Sequence, residues 1–100
     1  MIPKIGRRGR RVRRALESAR VIDQVVNNQL ALVPRLTEEG RRRAAEYLAE
    51  LVMLAQAYRH FAAGWITRRE LERRGLRTVR RLGALRQRRG RSAAHFTERE

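Results

Sequence analysis

The stretch "AAEYLAELVMLAQAYRHFAAGWI", residues 44–66, is the longest mostly apolar run in the chain. It is long enough to cross a bilayer, but Glu46, Glu50 and Arg59 interrupt it, so a helix buried in a soluble protein explains it better. Its apolar residues return every three or four positions, which is the spacing of one helical face. They are Ala44, Tyr47, Leu48, Leu51, Leu54, Ala55, Tyr58, Phe61 and Ala62.

Residues on both sides of this run are typical of helix ends. Thr37 can cap the first turn, and Glu38 and Glu39 lie where the positive end of the helix dipole favours carboxylates. Gly64 is a typical residue for ending a helix, because glycine adopts left-handed backbone angles without strain. We therefore predict a helix that begins after Thr37 and ends at Gly64.

A second apolar stripe of similar length precedes Pro34. Its members are Val12, Ala15, Leu16, Ala19, Ile22, Val26, Leu30 and Val33. This helix should begin near Arg10, and Pro34 should stop it. Two helices of about 24 residues, each roughly 36 Å long and joined by a short loop, must lie antiparallel. Residues 10–64 are therefore predicted to form a helical hairpin.

A third helical segment follows the hairpin. Thr67 and Glu70 form a T-x-x-E capping box, so a helix should begin at Thr67 or Arg68. Gly75 either ends this helix, with a fourth helix at residues 76–88, or lies inside one longer helix. In both alternatives the inward apolar face consists of Leu71, Val79, Leu82 and Leu85. The periodicity therefore does not separate the two.

In the two-helix alternative, the segment resembles a helix-turn-helix unit. The stretch "RELERRG", residues 69–75, is similar to the first helix of such a unit, and "LRTVRRL", residues 76–82, is similar to the start of its reader helix. The resemblance implies that the second helix lies in a major groove or along phosphates. Its outward face offers almost only arginine and Gln87, so phosphate contact is favoured over the reading of base edges.

These segments predict an all-α fold with a single helical domain. Residues 1–9 are expected to form a flexible basic arm. They contain Pro3, Gly6 and Gly9, which disfavour regular structure, and they have almost no apolar content. Residues 10–89 form the domain, which consists of the hairpin and a basic helical segment at residues 67–89. Residues 90–100 lack an apolar stripe and are expected to form a loosely held tail.

The formal net charge of +15 is unevenly distributed along the chain. Residues 1–20 carry eight basic and one acidic side chain, residues 21–66 carry five of each, and residues 67–100 carry twelve and four. All basic residues except Lys4 are arginine, whose planar guanidinium can bind two phosphate oxygens at once. Both ends of the chain are therefore suited to a polyanion.

We predict a non-enzymatic protein that binds nucleic acid through these arginine-rich ends. Duplex DNA is the favoured form, and RNA fits the charge almost as well. The candidate phosphate contacts are Arg7, Arg8, Arg10, Arg11, Arg13, Arg14, Arg77, Arg80, Arg81, Arg88, Arg89 and Arg91. Membrane-surface binding is less favoured, because the arm offers only Ile2 and Ile5 as an apolar face.

The chain offers little for catalysis, and we expect no catalytic residue, metal or cofactor. It has no cysteine and only two histidines, His60 and His95. Glu46 and Glu50 lie four residues apart and could in principle hold a metal ion, but beside arginines they are more typical of a helix surface. The absence of cysteine favours a reducing compartment, so we expect a cytoplasmic protein or a component of a nucleoprotein assembly, not a secreted one.

The alternative hypothesis is a structural or adaptor subunit of a larger assembly, such as a virion or a ribonucleoprotein. Small hairpins seldom bury two long apolar stripes completely, so the remaining apolar surface could pack on a second copy or another protein.

The aromatic residues of the second helix have two readings. Tyr47, Tyr58, Phe61 and Trp65 could form a row that stacks bases. At these spacings, however, such a row is more typical of a hairpin core, and that interpretation is favoured here.

Overall fold

A computed structural model of the chain describes residues 7–98, with the side chains of residues 8–88. The regular structure in this part is entirely helical. It consists of α1 (Arg7–Leu30), a short 3-10 helix (Val33–Arg35), α2 (Glu38–Ala62) and α3 (Arg68–Glu98). The predicted all-α class is therefore confirmed.

The first helix, α1, is shifted along the chain relative to the prediction. It begins at Arg7 instead of Arg10, because arginine is a good helix former and a single interior glycine such as Gly9 costs only about 1 kcal/mol. It ends at Leu30, and Pro34, which has no N–H to donate, lies in the first turn of the 3-10 helix. Residues 1–6 of the predicted arm lie outside the described residues.

The second helix, α2, has the predicted caps at both ends. The Thr37 hydroxyl accepts a hydrogen bond from the Gly40 amide at 3.1 Å. Gly64 has a φ of 82°, in the left-handed region, and its amide donates to the Phe61 carbonyl at 3.0 Å. The Trp65 amide then donates to the His60 carbonyl at 2.8 Å. These bonds satisfy backbone groups that the helix ends would otherwise leave without partners.

The third helix, α3, is a single helix of 31 residues, and this overturns the helix-turn-helix alternative. It begins as predicted, with the Thr67 hydroxyl accepting from the Glu70 amide at 3.1 Å. Gly75 lies inside the helix and has no positive φ, so the chain makes no turn there. The cost of one interior glycine is small, and salt bridges such as Arg74 to Glu70, at 3.1 Å, support the helix just before it.

The helix also continues through residues 90–98, which were expected to belong to a loose tail. Residues 91–98 contain no glycine or proline that would end it. Residues 99–100 lie outside the described part of the chain.

Helix α2 packs against both α1 and α3. The buried apolar side chains are mostly small, which lets the helix backbones approach closely. They are Ala15, Ala19, Val26, Leu48, Ala55 and Ala57. Ala57 is outside the predicted stripe, and it lies one heptad after Glu50, whose carboxylate pairs with Arg81 of α3. Helix α2 therefore has a second packing face, directed towards α3.

The inward face of α3 differs from the prediction at one position. Thr78 is buried, whereas Val79 is 63% exposed, so the expected inward position of Val79 is wrong. Viewed down the axis of one continuous helix, the direction of Thr78 differs from that of Leu71 by about 20°, while that of Val79 differs by about 80°. Leu82 and Leu85 are half-buried on the side of Thr78.

The resulting core is thin. The molecule is elongated, with principal extents of 70 × 26 × 17 Å. No large side chain among the described residues is fully buried, and large apolar residues such as Leu16, Val21 and Met53 remain exposed.

Candidate nucleic-acid interface

Seven arginines of α2 and α3 have carboxylate partners among the described residues. Arg43 contacts Glu39 at 2.7 Å, Arg42 contacts Glu38 at 3.4 Å, and Arg68 contacts Glu72 at 3.4 Å. The other pairs are Arg59 with Asp23, Arg73 and Arg74 with Glu70, and Arg81 with Glu50. Such pairs on a helix surface contribute little stability, but they reduce the local positive charge.

The first turns of α1 are different. Five arginines, which we call the α1 arginine cluster, are exposed there, and none forms an ion pair within the described residues. The cluster consists of Arg8, Arg10, Arg11, Arg13 and Arg14. The side chain of Arg7, another predicted contact, lies outside the described residues. These guanidinium groups therefore face solvent with their charge uncompensated.

The predicted contacts of α3 do not all have the same environment. Arg77, Arg80 and Arg88 are exposed and have no carboxylate partner among the described side chains. Arg81 instead contacts Glu50 of α2 at 3.6 Å, so part of its role is in helix packing. The side chains of Arg89 and Arg91 lie outside the described residues.

The sequence prediction missed further exposed arginines of α3. Arg69 and Arg86 are exposed and form no ion pair in the described part of the chain. With a continuous helix, a set that we call the α3 arginine stripe follows spacings of four, four and three residues along one side. The stripe consists of Arg69, Arg73, Arg77 and Arg80. The spacing of these arginines is visible in the sequence, but it places them on one side only if residues 68–98 form one helix instead of two.

The structure does not bring the two predicted arginine regions together. The α1 arginine cluster lies beside the start of α3, because Arg8 and Arg11 share a cleft with Arg68. At about 1.5 Å per residue, Arg77 is roughly 14 Å and Arg88 roughly 30 Å farther along α3. The two regions are therefore separate positive surfaces.

The cleft between the start of α1 and the α2–α3 connection has a volume of about 380 Å³. Arg8, Arg11 and Val12 line it from α1, and Phe61 and residues 64–68 line it from the other side. One guanidinium nitrogen of Arg8 lies 3.3 Å from the point where a Cβ on Gly64 would stand. The absence of a side chain at Gly64 therefore lets Arg8 approach the backbone closely.

Trp65 is exposed at the edge of this cleft. Its side chain is 74% exposed, and its ring centroid lies 5.1 Å from that of His60, with the two planes tilted by 38°. The prediction that Trp65 belongs to the core is wrong. The heptad spacing from Tyr58 does not extend to Trp65, because the left-handed backbone of Gly64 comes between them.

Glu70 is the described carboxylate whose pKa is most clearly perturbed. The hydrogen bond from Arg74, at 3.1 Å, is the main cause that lowers the pKa of Glu70, and the charges of Arg73 and Arg74 lower it further against some desolvation. Glu70 therefore pairs with two arginines, Arg73 and Arg74, on the helix surface.

Within residues 7–98, none of the helices combines the length and the apolar content needed to cross a membrane. No group of three histidine, cysteine, aspartate or glutamate residues in that range could hold a metal ion. No protein-family model matches the chain, and no curated protein or solved structure is significantly similar to it.

Proposed function

We propose that the protein is a small, non-enzymatic nucleic-acid-binding protein that holds phosphates through its arginines. Duplex DNA is the favoured partner, and RNA fits the charge almost as well. The observation that carries the proposal is that the α1 arginine cluster forms no ion pair among the described residues, whereas Arg42, Arg43 and Arg59 of α2 each pair with a carboxylate. The cluster extends over roughly 9 Å of helix, and duplex DNA presents about one phosphate charge per 1.7 Å of its axis.

The position of the cluster also supports a polyanionic partner. The first turn of a helix is its positive end and favours carboxylates, yet the first turn of α1 contains no acidic residue. Arginines three and four residues apart, such as Arg10 with Arg13 and Arg14, repel one another. Bound phosphates would relieve both the dipole effect and the repulsion.

The contacts between α1 and α2 support the predicted antiparallel hairpin as the scaffold of this site. Arg8 at the start of α1 lies against Gly64 after the end of α2, and residues 31–37 join the two helices. An antiparallel arrangement accounts for that proximity. It would also put the α1 arginine cluster beside the first residues of α3.

The proposal can be tested by fluorescence anisotropy of labelled duplex DNA, structured RNA and heparin at several salt concentrations. If about five phosphates on duplex DNA are neutralised, log K should fall with log salt at a slope near −4.5. Preference for DNA or RNA over heparin at moderate salt would support the proposal. Equal, weak binding to all three polyanions would contradict it.

A second function, as a structural or adaptor subunit, is favoured by the exposed apolar side chains. Among the described side chains, eleven large apolar residues are exposed, including Val52, Met53 and Leu76. A monomer gains nothing from such exposure, whereas an assembly would bury it. Sedimentation velocity over a range of protein concentrations should then reveal a concentration-dependent oligomer, and a monomer at every concentration would remove the support for self-assembly.

A further inference from the structure

We infer that the cleft beside Trp65 binds an unpaired nucleotide of a single-stranded segment, whose base stacks on the indole and whose phosphate contacts Arg8 and Arg11. The inference rests on the proposed function and specifies the form of nucleic acid that this part of the surface takes. The arginines elsewhere would hold phosphates of single and double strands alike, whereas the cleft would select an unpaired base.

Trp65 has the properties of a stacking platform. Its side chain is 74% exposed although it lies at the junction of two helices, and the ring of His60 at 5.1 Å leaves most of the indole accessible. Every base has a flat π-face, so stacking on an aromatic side chain tolerates any sequence. Bases within a duplex are already stacked on each other and are not available for this contact.

The arginines of the cleft supply the charge that a nucleotide needs. Arg8 and Arg11 are exposed and have no carboxylate partner among the described residues, whereas Arg68 on the rim contacts Glu72 at 3.4 Å. Arg8 lies close to the backbone at Gly64, with one guanidinium nitrogen 3.3 Å from the point where a Cβ would stand. Stacking beside unpaired arginines is the usual combination in sites for single strands.

The size of the cleft agrees with a nucleotide. Its volume of about 380 Å³ lies within the range of small-molecule sites, which is roughly 300–1,000 Å³. Apolar walls come from Val12, Phe61 and Ile66, so a base would find a surface that an inorganic phosphate does not need.

Trp65 is the only tryptophan of the chain, so tryptophan fluorescence, excited where tyrosine does not absorb, reports on this cleft alone. The experiment titrates the full-length protein at low salt with oligo(dT), oligo(U), a long blunt-ended duplex and polyphosphate. Anisotropy of labelled strands measures binding in parallel. Oligo(dT) or oligo(U) should quench the fluorescence, whereas the duplex and polyphosphate should bind with little quenching.

Substitutions then separate the aromatic contact from general charge. Trp65→Leu should weaken single-strand binding on the order of tenfold and leave duplex binding unchanged, and Trp65→Phe should recover part of the loss. Val52→Ala, which alters an exposed apolar residue of α2, is the control. The double variant Arg8→Gln, Arg11→Gln should weaken quenching more than the equally charged control Arg35→Gln, Arg41→Gln.

The outcomes distinguish this inference from the proposed function. If single strands and duplex bind equally, without quenching and without an effect of Trp65→Leu, the cleft inference is wrong and the phosphate-binding function stands. If no nucleic acid binds at low salt, the proposed function fails and the inference fails with it. Quenching by anionic lipid vesicles but not by oligonucleotides would also overturn the inference.

Discussion

The starts of α1 and α2 both carry arginines, but only α2 places carboxylates beside them. In α2, Thr37 caps the first turn, and Glu38 and Glu39 pair with arginines four residues later. In α1 the first turn has no acidic residue, and five exposed arginines follow without an ion pair among the described residues. The start of α2 thus follows the rules of helix stability, whereas that of α1 opposes them. The proposed binding of phosphates would account for a helix start of this kind.

The largest expected effect comes from removing charge at α1. The triple variant Arg10→Gln, Arg13→Gln, Arg14→Gln should make the salt slope of DNA binding less steep by about 3, because three phosphate contacts are lost. Anisotropy at several salt concentrations measures this slope.

The matched control removes three charges near the start of α2, with Arg35→Gln, Arg41→Gln and Arg42→Gln. It should change the slope far less. Equal changes in the two triple variants would show that net charge, and not the α1 arginine cluster, determines binding.

Removal of the α2 cap should lower stability without affecting binding. Thr37→Ala deletes the hydroxyl that accepts from the Gly40 amide and should reduce the free energy of unfolding by about 1 kcal/mol. Urea denaturation measures the loss, and Thr37→Ser, which keeps a hydroxyl, should retain most of the stability. A loss of DNA affinity in folded Thr37→Ala would contradict the interpretation that the start of α2 contributes to stability and the start of α1 to binding.

Introducing a carboxylate at the start of α1 should have the opposite effects on stability and binding. Arg10→Glu places a negative charge at the positive helix end and four residues before Arg14, so the free energy of unfolding should rise by about 0.5–1 kcal/mol. DNA affinity should fall at the same time. The variant Arg10→Gln removes the repulsion between Arg10 and its neighbouring arginines without adding a negative charge, so it measures that part of the effect alone. A lower free energy of unfolding in Arg10→Glu would contradict the interpretation that the start of α1 is destabilised by its arginines.

The smallest effect concerns the pH dependence of α3. Folding lowers the pKa of Glu70, mainly through the Arg74 hydrogen bond, so this carboxylate stabilises the protein above its ordinary pKa. The stabilisation is lost as the pH falls through the lowered value in the folded state. As the pH is lowered, the urea midpoint of unfolding should therefore fall less in Glu70→Gln than in the wild type.

Glu46→Gln is the control for that comparison, since Glu46 forms no ion pair among the described residues and the charge change is the same. An acid dependence of Glu70→Gln identical to that of the wild type would contradict the assigned contribution of Glu70.

Local chemistry made some of the fold predictable from sequence. The cap residues Thr37 and Thr67 and the terminating Gly64 were predicted correctly, because their bonds involve groups only a few residues away. The continuity of α3 at Gly75 was not predictable, since one helix and two helices give the same apolar spacing. In the structure α3 packs against α2 with Thr78 buried and Val79 exposed, an arrangement that the apolar spacing does not indicate.

Of the candidate site, the sequence predicted the arginines but not the cleft. Glu17, the only acidic residue among residues 1–20, forms no ion pair with the α1 arginine cluster in the described part of the chain. The positive charge of the cluster could therefore be read from the sequence. The cleft does not follow from it, because Arg8 and Trp65 are distant in sequence and meet only when α1 packs against the end of α2. The prediction that Trp65 belongs to the core extends the heptad past Gly64, whose left-handed backbone ends the helical periodicity.

Hydrogen–deuterium exchange with and without duplex DNA tests most directly whether the start of α1 is a binding element. Saturating DNA should slow exchange of the amides at residues 8–14, because bound phosphates remove the repulsion that weakens this part of the helix. Exchange at the start of α2, residues 38–43, should remain unchanged. Unchanged exchange at residues 8–14 when DNA is bound, or equal slowing at both helix starts, would contradict the account.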